Sequence, residues 1–345
     1  MSPEVDFTGQ VAVVTGAGGG LGSAFSRELA GRGAAVVVND LGGSTSGEGS
    51  STGYADRVVR EIREAGGTAI ANYDTVATEA GGQAVIDAAL ETFGRIDVVV
   101  SNAGNQRNGR FGELGARDIN AVHDVHVKGA FFVCQPAYRR MADQGYGRLV
   151  LVSSQSGIFG NPFRANYGSA KTALIGLMNV IAQEAPAGVA VNCLFPNAMG
   201  GRLGDTPLAE RPDALWLVAA GERGRQIAEG MTPDFVTPLA VYLASRACAS
   251  SQHMYSALGG KYSRLFVGAT EGWYVPGTQP PSVEELVAHL SDIDDVSQFE
   301  IPFSGLDEME TAIAAKQRLG HGARTRQSAG GGPACSGPAA PASRT

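Results

Sequence analysis

Short, continuous apolar runs alternate with longer segments at helical period from residue 10 to about residue 200. "VAVVTGA", "AAVVVND", "TAIANYD", "DVVVSNAG", "GRLVLVSS" and "VAVNCLF" read as strands. "LGSAFSRELAGRG", "YADRVVREIREAGG" and "GGQAVIDAALETFGRI" carry apolar positions three and four apart and read as helices. Runs of Val, Ile and Leu without polar alternation suit strands buried on both faces, which is the habit of parallel sheets. Strand and helix in alternation predict an α/β chain, a doubly wound parallel sheet with helices on both faces. Ligands in such sheets sit beyond the carboxyl ends of the strands.

After residue 275 the style changes. "VPGTQPPSVEELVAHLSDIDD" is a Pro-rich joint followed by a helix, with Ser282 as N-cap and Glu285 three residues on as its capping-box partner. "SGLDEMETAIAAKQRL" predicts a second helix. The tail from about Gly320, rich in Gly, Ala, Pro and Ser, predicts disorder. The expected division is a main domain at 1–275, a short helical C-terminal extension at 276–320 and a disordered tail at 321–345.

Composition narrows the partners. The chain has 345 residues, 43% hydrophobic, enough for one large core and an appendage. Its net charge is −7 and no basic run stands out, which argues against nucleic acid and against an anionic membrane surface. Cys134, Cys193, Cys248 and Cys335 are scattered without metal or disulfide spacing, as buried thiols in a reducing compartment would be. The N-terminus lacks a signal-like pattern, no window is apolar enough to span a bilayer, and Ser-Arg-Thr at the end is not the peroxisomal Ser-Lys-Leu. A soluble cytoplasmic protein is expected.

Candidate chemistry sits at strand ends. Gly16, Gly20 and Gly22, with Leu21 between the last two, lie between a strand and a helix, as in Rossmann-type sheets that cradle a pyrophosphate. Asp40 closes the next strand, 18 residues past Gly22, where a carboxylate can bond adenosine ribose hydroxyls and repel a 2′-phosphate. With no Arg or Lys in "TGAGGGLG", this favours NAD over NADP. The other reading of Asp40 is a cap for the turn into "LGGSTSGEGS". Tyr167 and Lys171, four apart in "NYGSAK", share a helix face. A neighbouring ammonium favours the phenolate. Ser154, at a strand end 13 residues before Tyr167, can bind the same substrate oxygen.

Together these residues resemble the short-chain dehydrogenase/reductase family over residues 10 to about 200. Thr15, Gly16, Gly20 and Gly22 match its glycine loop; Ser101-Asn102-Ala103-Gly104 matches its NNAG turn with Ser for the first Asn; Asn192 to Pro196 match N-x-x-x-P. The resemblance implies that Tyr167 is the general acid/base, that Lys171 binds the nicotinamide ribose and lowers the tyrosine pKa, and that Ser154 orients the substrate oxygen. It implies cofactor contacts at Asp74, Thr75, Val76, Asn102, Ala103, Gly104, Tyr167, Lys171, Pro196, Asn197 and Ala198, and a homo-dimer or homo-tetramer. "VVVNDLGG", "SGIFGNPFRANYGSAK" and "PNAMGGR" are similar to the (3R)-hydroxyacyl-CoA dehydrogenases of type 2 multifunctional enzymes, also described as 17β-hydroxysteroid dehydrogenases. The implied substrate is thus an acyl-CoA or a steroid, turned over with NAD. A catalytically silent NAD-sensing protein would commonly lose the tyrosine or the lysine, and this chain keeps both.

The sequence departs from the family pattern at His126, where many members have an Asn supporting a proton-relay water. A ring nitrogen can hold the same water, or His126 can be a packed helix residue. His123, three residues away, gives a metal-like spacing, but only Asp124 is near, so no metal is expected. Segment 199–231 corresponds to a variable substrate lid lengthened around "WLVAAGERGRQ". Arg107, Arg110, Arg164 and Arg202 lie near the expected mouth, as CoA-phosphate contacts or as ordinary solvated arginines.

Overall fold

A computed structural model of the chain describes residues 5–198, 221–223, 225–275 and 279–329, with side chains to residue 317. Most of the expected lid with Arg202, and residues 330–345 of the expected tail, lie outside the described residues. The chain divides into a unit at 1–265 and a second at 266–345.

The first unit is built on an eight-stranded sheet in the order β3-β2-β1-β4-β5-β6-β7-β8. Its strands are β1 (Val11–Thr15), β2 (Ala35–Asn39), β3 (Thr68–Asn72), β4 (Val98–Ser101), β5 (Gly147–Val152), β6 (Val189–Asn197), β7 (Met254–Leu258) and β8 (Lys261–Leu265). All neighbours pair in parallel except β7 with β8, which are antiparallel. This is the doubly wound sheet that the apolar runs predict. The β7–β8 hairpin is absent from that reading. Gly259 and Gly260 form its two-residue turn with φ of +56° and +82°, the left-handed pair that a tight hairpin of this twist demands.

Successive valines divide between two cores, because side chains alternate across a strand. Ala12, Val14, Val36 and Val38 face one layer with Phe25, Leu29, Val58 and Ile62. That layer comprises α1 (Gly20–Gly31), α2 (Gly53–Glu64) and the later helix Thr237–Ala244. Val11, Val13, Val37 and Val99 face the opposite layer with Ile86, Val133, Met141 and Met178. It comprises α3 (Glu79–Phe93), α5 (Gly129–Gln144) and α7 (Ala165–Glu184), with α4 (Ala116–His123) and the one-turn α6 (Gln155–Ile158) at the carboxyl edge.

In the second unit, Ser282 and Glu285 form the full capping box at the start of helix Val283–Ala288. Ala269–Thr270 pairs with Phe299–Glu300, and Trp273 stacks on His289 at 4.1 Å. The last helix spans Gly305–Ala329, beyond the point where composition predicts order to stop. Ala323, Arg324, Arg326 and Gln327 are good helix formers, and the first proline comes only at Pro333.

Candidate active site

The site is assembled at the carboxyl ends of β1, β2, β4, β5 and β6. Between β1 and α1, Gly16 takes φ +63°, and a Cβ on Gly22 would lie 2.4 Å from the Gly16 carbonyl oxygen. A side chain at Gly16 would need a left-handed backbone, and one at Gly22 would clash with the loop. Leu21 packs at the rim of the core. Helix α1 begins with no side-chain cap and no acid in its first turn, so its first N–H groups are left for an anionic ligand. That is the fit expected of a dinucleotide pyrophosphate.

Asp40 is 3% exposed. Its Oδ2 accepts from the Gly18 N–H at 2.8 Å and its Oδ1 from the Gly42 N–H at 2.7 Å. The carboxylate thus caps the turn into the following loop, and its charge also stands beside the glycine loop. The cap reading describes these bonds, and the carboxylate also lies beside the loop where the ribose reading places a cofactor. Asp74 is exposed beyond β3, and its Oδ2 accepts from Asn72 Nδ2 at 2.7 Å; Asn39 Nδ2 donates to Asn72 Oδ1 at 2.7 Å and to the Asp74 carbonyl at 2.9 Å. Thr75 is half-buried, whereas Val76 is 7% exposed and belongs to the core.

Beyond β4, Asn102 Nδ2 donates to the Thr15 carbonyl at 2.9 Å, and the N–H groups of Asn102 and Ala103 both donate to Thr15 Oγ1 at 3.0 Å. The NNAG-like turn is thereby locked to the end of β1. Gly104 lies against His126, whose ring carbon would be 2.5 Å from an added Cβ. The long loop after Asp40 crosses to this turn: Gln106 N–H donates to the Thr45 carbonyl at 2.8 Å, and Arg107 Nε to Ser46 at 3.1 Å. Arg107 also pairs with Glu48 and Asp118, at 3.3 and 3.4 Å. It is therefore a loop anchor. Arg110 is exposed and lies over the Phe163 ring.

Tyr167 and Lys171 lie one turn apart on α7, with the Lys171 Nζ 5.7 Å from the Tyr167 ring centroid. Ser154 ends the segment after β5, caps α6 through the Ser156 N–H at 3.2 Å, and its hydroxyl favours the ionised form of the Tyr167 phenol. Lys171 is 4% exposed and its Nζ donates to the Val152 carbonyl at 2.6 Å. Burial raises the Tyr167 pKa above the ordinary phenol value; the Ser154 hydrogen bond and the Arg164 charge oppose it. Burial brings the Lys171 ammonium down to about 7. The resemblance implies that Lys171 lowers the phenol; here the opposing groups are Ser154 and Arg164, a consequence of burial that spacing does not reveal.

His126 lies in a turn of π-helix, Asp124–Lys128, between α4 and α5, an irregularity found at functional positions. The imidazole meets the Tyr167 ring edge-on at 5.2 Å. Its Nε2 lies 3.1 Å from the Asn105 N–H nitrogen and 2.9 Å from the Asn105 carbonyl oxygen, so tautomer decides which bond it makes. Burial, then Lys171, holds its pKa well below the usual histidine range. Its buried Nδ1 has no hydrogen-bond partner among the described residues. His123 turns instead to Ser169 Oγ, at 3.0 Å. At the end of β6, Asn197 Nδ2 donates to Gln155 Oε1 at 3.2 Å, beside Pro196 and the half-buried Ala198.

Asn166 is missing from the sequence reading. It is 3% exposed; its Nδ2 donates to the carbonyls of Arg107 and Asp118, and its Oδ1 accepts from the Tyr167 N–H at 2.8 Å. The "ANY" order puts it next to the tyrosine, but its partners are 59 and 48 residues away. Asn166→Ala leaves those carbonyls unpaired, at a cost of about 1–3 kcal/mol in stability. The unfolding midpoint in denaturant is expected to fall, with turnover falling too, because the start of α7 loses its anchor.

Three comparisons bear on this arrangement. The family model described as short chain dehydrogenase matches residues 10–206. A short-chain type dehydrogenase/reductase of Mycobacterium tuberculosis is 41% identical over 293 residues, 85% of this chain and 96% of that protein. Peroxisomal multifunctional enzyme type 2 of mouse is 40% identical over 288 residues, 83% of this chain but 37% of that protein. The solved full-length type 2 enzyme of Drosophila melanogaster superposes with a TM-score of 0.71 at 30% identity, over 91% of this chain and 51% of that one. The chain thus spans about a third to a half of those longer enzymes. Among the described residues, no helix is long and apolar enough to cross a membrane.

Proposed function

This chain belongs to the short-chain dehydrogenase family and is an oxidoreductase acting on CH–OH groups, and on that premise we propose that it oxidises a (3R)-hydroxyacyl-CoA to the 3-ketoacyl-CoA with NAD. The observation that carries this reading is the meeting of Ser154, Tyr167 and Lys171 at the end of β5 and on α7, beside a glycine loop whose neighbouring acid is Asp40. The acyl-CoA part rests on the resemblance of "PNAMGGR" and the loop after Asp40 to the type 2 dehydrogenases. NAD rests on Asp40, whose carboxylate opposes a 2′-phosphate.

Bound at the glycine loop, the nicotinamide dinucleotide supplies the hydride acceptor. Gly16, Gly20, Gly22 and the first N–H groups of α1 hold its pyrophosphate, Asp40 its adenosine ribose, Asp74 its adenine and Lys171 its second ribose. Ser154 donates to the substrate oxygen and fixes its place. The Tyr167 oxygen takes the hydroxyl proton. The buried Nδ1 of His126 supports the relay reading of that residue over simple packing, since a packed ring would leave a polar nitrogen without a partner. Phe131 on α5 and Val180 on α7 are 49% and 54% exposed, which supports the homo-oligomer expected from the family.

The substrate reading is tested by comparing kcat/KM for a (3R)-hydroxyacyl-CoA, its 3S epimer and a 17β-hydroxysteroid. Preference for the 3R thioester supports it; turnover of the steroid alone overturns it. A second expectation concerns pH. Because burial raises the Tyr167 pKa, the deprotonated form that oxidation needs gains population as pH rises, and the oxidation rate climbs through the alkaline range. Arg164 lowers that pKa, so Arg164→Gln shifts the climb to higher pH in a kcat/KM profile. An unmoved profile would show that the Arg164 charge does not act on the phenol.

A further inference from the structure

The glycine loop is held by more than its glycines. The Gly18 N–H donates to Asp40 Oδ2 at 2.8 Å, and the Gly18 carbonyl accepts from Arg57 Nη2 at 2.8 Å. Arg57 stands on the second turn of α2, 39 residues away along the chain. A Cβ on Gly18 would lie 2.6 Å from Tyr54 Cβ and 2.8 Å from Asp40 Oδ2. Gly18 is therefore bonded at both backbone groups and packed where a side chain would go.

The guanidinium is held in turn. Arg57 Nη1 pairs with Glu61 Oε1 at 3.4 Å, and Glu61 Oε2 pairs with Arg27 Nη1 of α1 at 2.8 Å. Three charged side chains thus link α1 and α2 around the loop that joins β1 to α1. None of the three has a part in the mechanism above.

The consequence follows from peptide planarity. The Gly18 carbonyl and the Gly19 N–H belong to one planar trans unit and point in opposite directions. Directing the carbonyl at Arg57 turns the Gly19 N–H away from it. Gly19 is the N-cap residue of α1, its N–H makes no hydrogen bond to the described residues, and open space surrounds the place of its absent Cβ. That N–H sits at the N-terminal end of α1, the end where an anion is stabilised.

We propose that Arg57 is a positioning residue for the cofactor: with Asp40 it clamps the Gly18 peptide, and so presents the Gly19 N–H to the pyrophosphate. The inference rests on the dinucleotide reading of the site. It assigns Asp40 a second duty, and it explains why a half-exposed arginine is spent on a glycine carbonyl. Arg57 touches neither the substrate nor the reacting atoms, so its effect belongs in cofactor affinity and not in the chemical step.

The test is calorimetric titration of NADH and NADPH into wild type, Arg57→Ala, Arg57→Lys and Glu61→Gln, beside unfolding midpoints without cofactor and kcat at saturating cofactor. Arg57→Ala is expected to weaken binding of the preferred dinucleotide about tenfold, the worth of a charge-assisted hydrogen bond. The cofactor-free midpoint and kcat should stay close to wild type, because the side chain is 45% exposed. Arg57→Lys should recover part of the affinity, as an ammonium can reach one carbonyl, and Glu61→Gln should lie between. Equal affinity in wild type and Arg57→Ala overturns the clamp while leaving the cofactor reading intact. A loss of kcat at saturation equal to the loss of affinity also overturns it. A wild type that binds neither dinucleotide overturns the cofactor reading and the clamp with it.

Discussion

Replacing Tyr167 by Phe lowers turnover by about a thousandfold or more, within the range set by a positioned acid/base, while NADH still binds. The substitution removes one oxygen atom from a ring whose packing is otherwise kept. That ring meets His126 edge-on and lies under Lys171, so the α7 surface stays filled. Burial raises the pKa of the ring's hydroxyl, and Ser154 and Arg164 lower it. Without that hydroxyl, no neighbouring group takes over the proton. His126 is held neutral by burial and already bonds Asn105, and the Lys171 Nζ is committed to the Val152 carbonyl. Steady-state rates and NADH titration on the same preparation separate the two effects. Loss of binding together with turnover would mean that the phenol is a cofactor anchor and not the acid/base.

Lys171→Met should act on activity and stability in opposite directions. Turnover is expected to fall a hundredfold or more, since the group beside the phenol and the cofactor ribose loses its charge. Stability of the cofactor-free protein should rise at low pH. Burial has lowered the Lys171 pKa from 10.5 to about 7, so between those values the unfolded chain binds more protons than the folded one. Wild-type stability therefore increases as pH rises from about 7 to about 10, and the penalty is fully present below 7. Met removes that penalty, of order 5 kcal/mol at most, but leaves the Val152 carbonyl without this partner, which takes back about 1–3 kcal/mol. Denaturant midpoints for both proteins from pH 6 to about 10 give the comparison. A flattened slope for the variant supports the account; parallel curves would show that the lysine is not desolvated in the fold.

How far these features were legible depends on the distance over which each is encoded. Tyr167 and Lys171 are four apart on a helix, and Ser154 lies at the end of an apolar run, so period and local composition suffice to place them. The continuous valine runs gave the strand order its parallel character for the same reason. Arg57 and Asn166 could not be read. Their carbonyl partners lie 39 to 59 residues away, and nothing in a local pattern reports such a contact. The π-turn around His126 is a backbone event that no residue type announces. The burial of Lys171, which depends on β5, β6 and α7 packing together, is likewise not visible in its spacing from Tyr167. The β7–β8 hairpin is a different case: "ALGGKY" carries the Gly-Gly signal at its turn, and it was legible though not used.

The account stands most directly on one assay: NADH absorbance produced from a (3R)-hydroxyacyl-CoA and NAD by purified wild type and by Tyr167→Phe, side by side. It predicts a steady rise for wild type and, for the variant, a rate lower by about a thousandfold or more despite bound cofactor. Equal rates from the two proteins, or no NADH from wild type with this thioester while NADH binds, would contradict it.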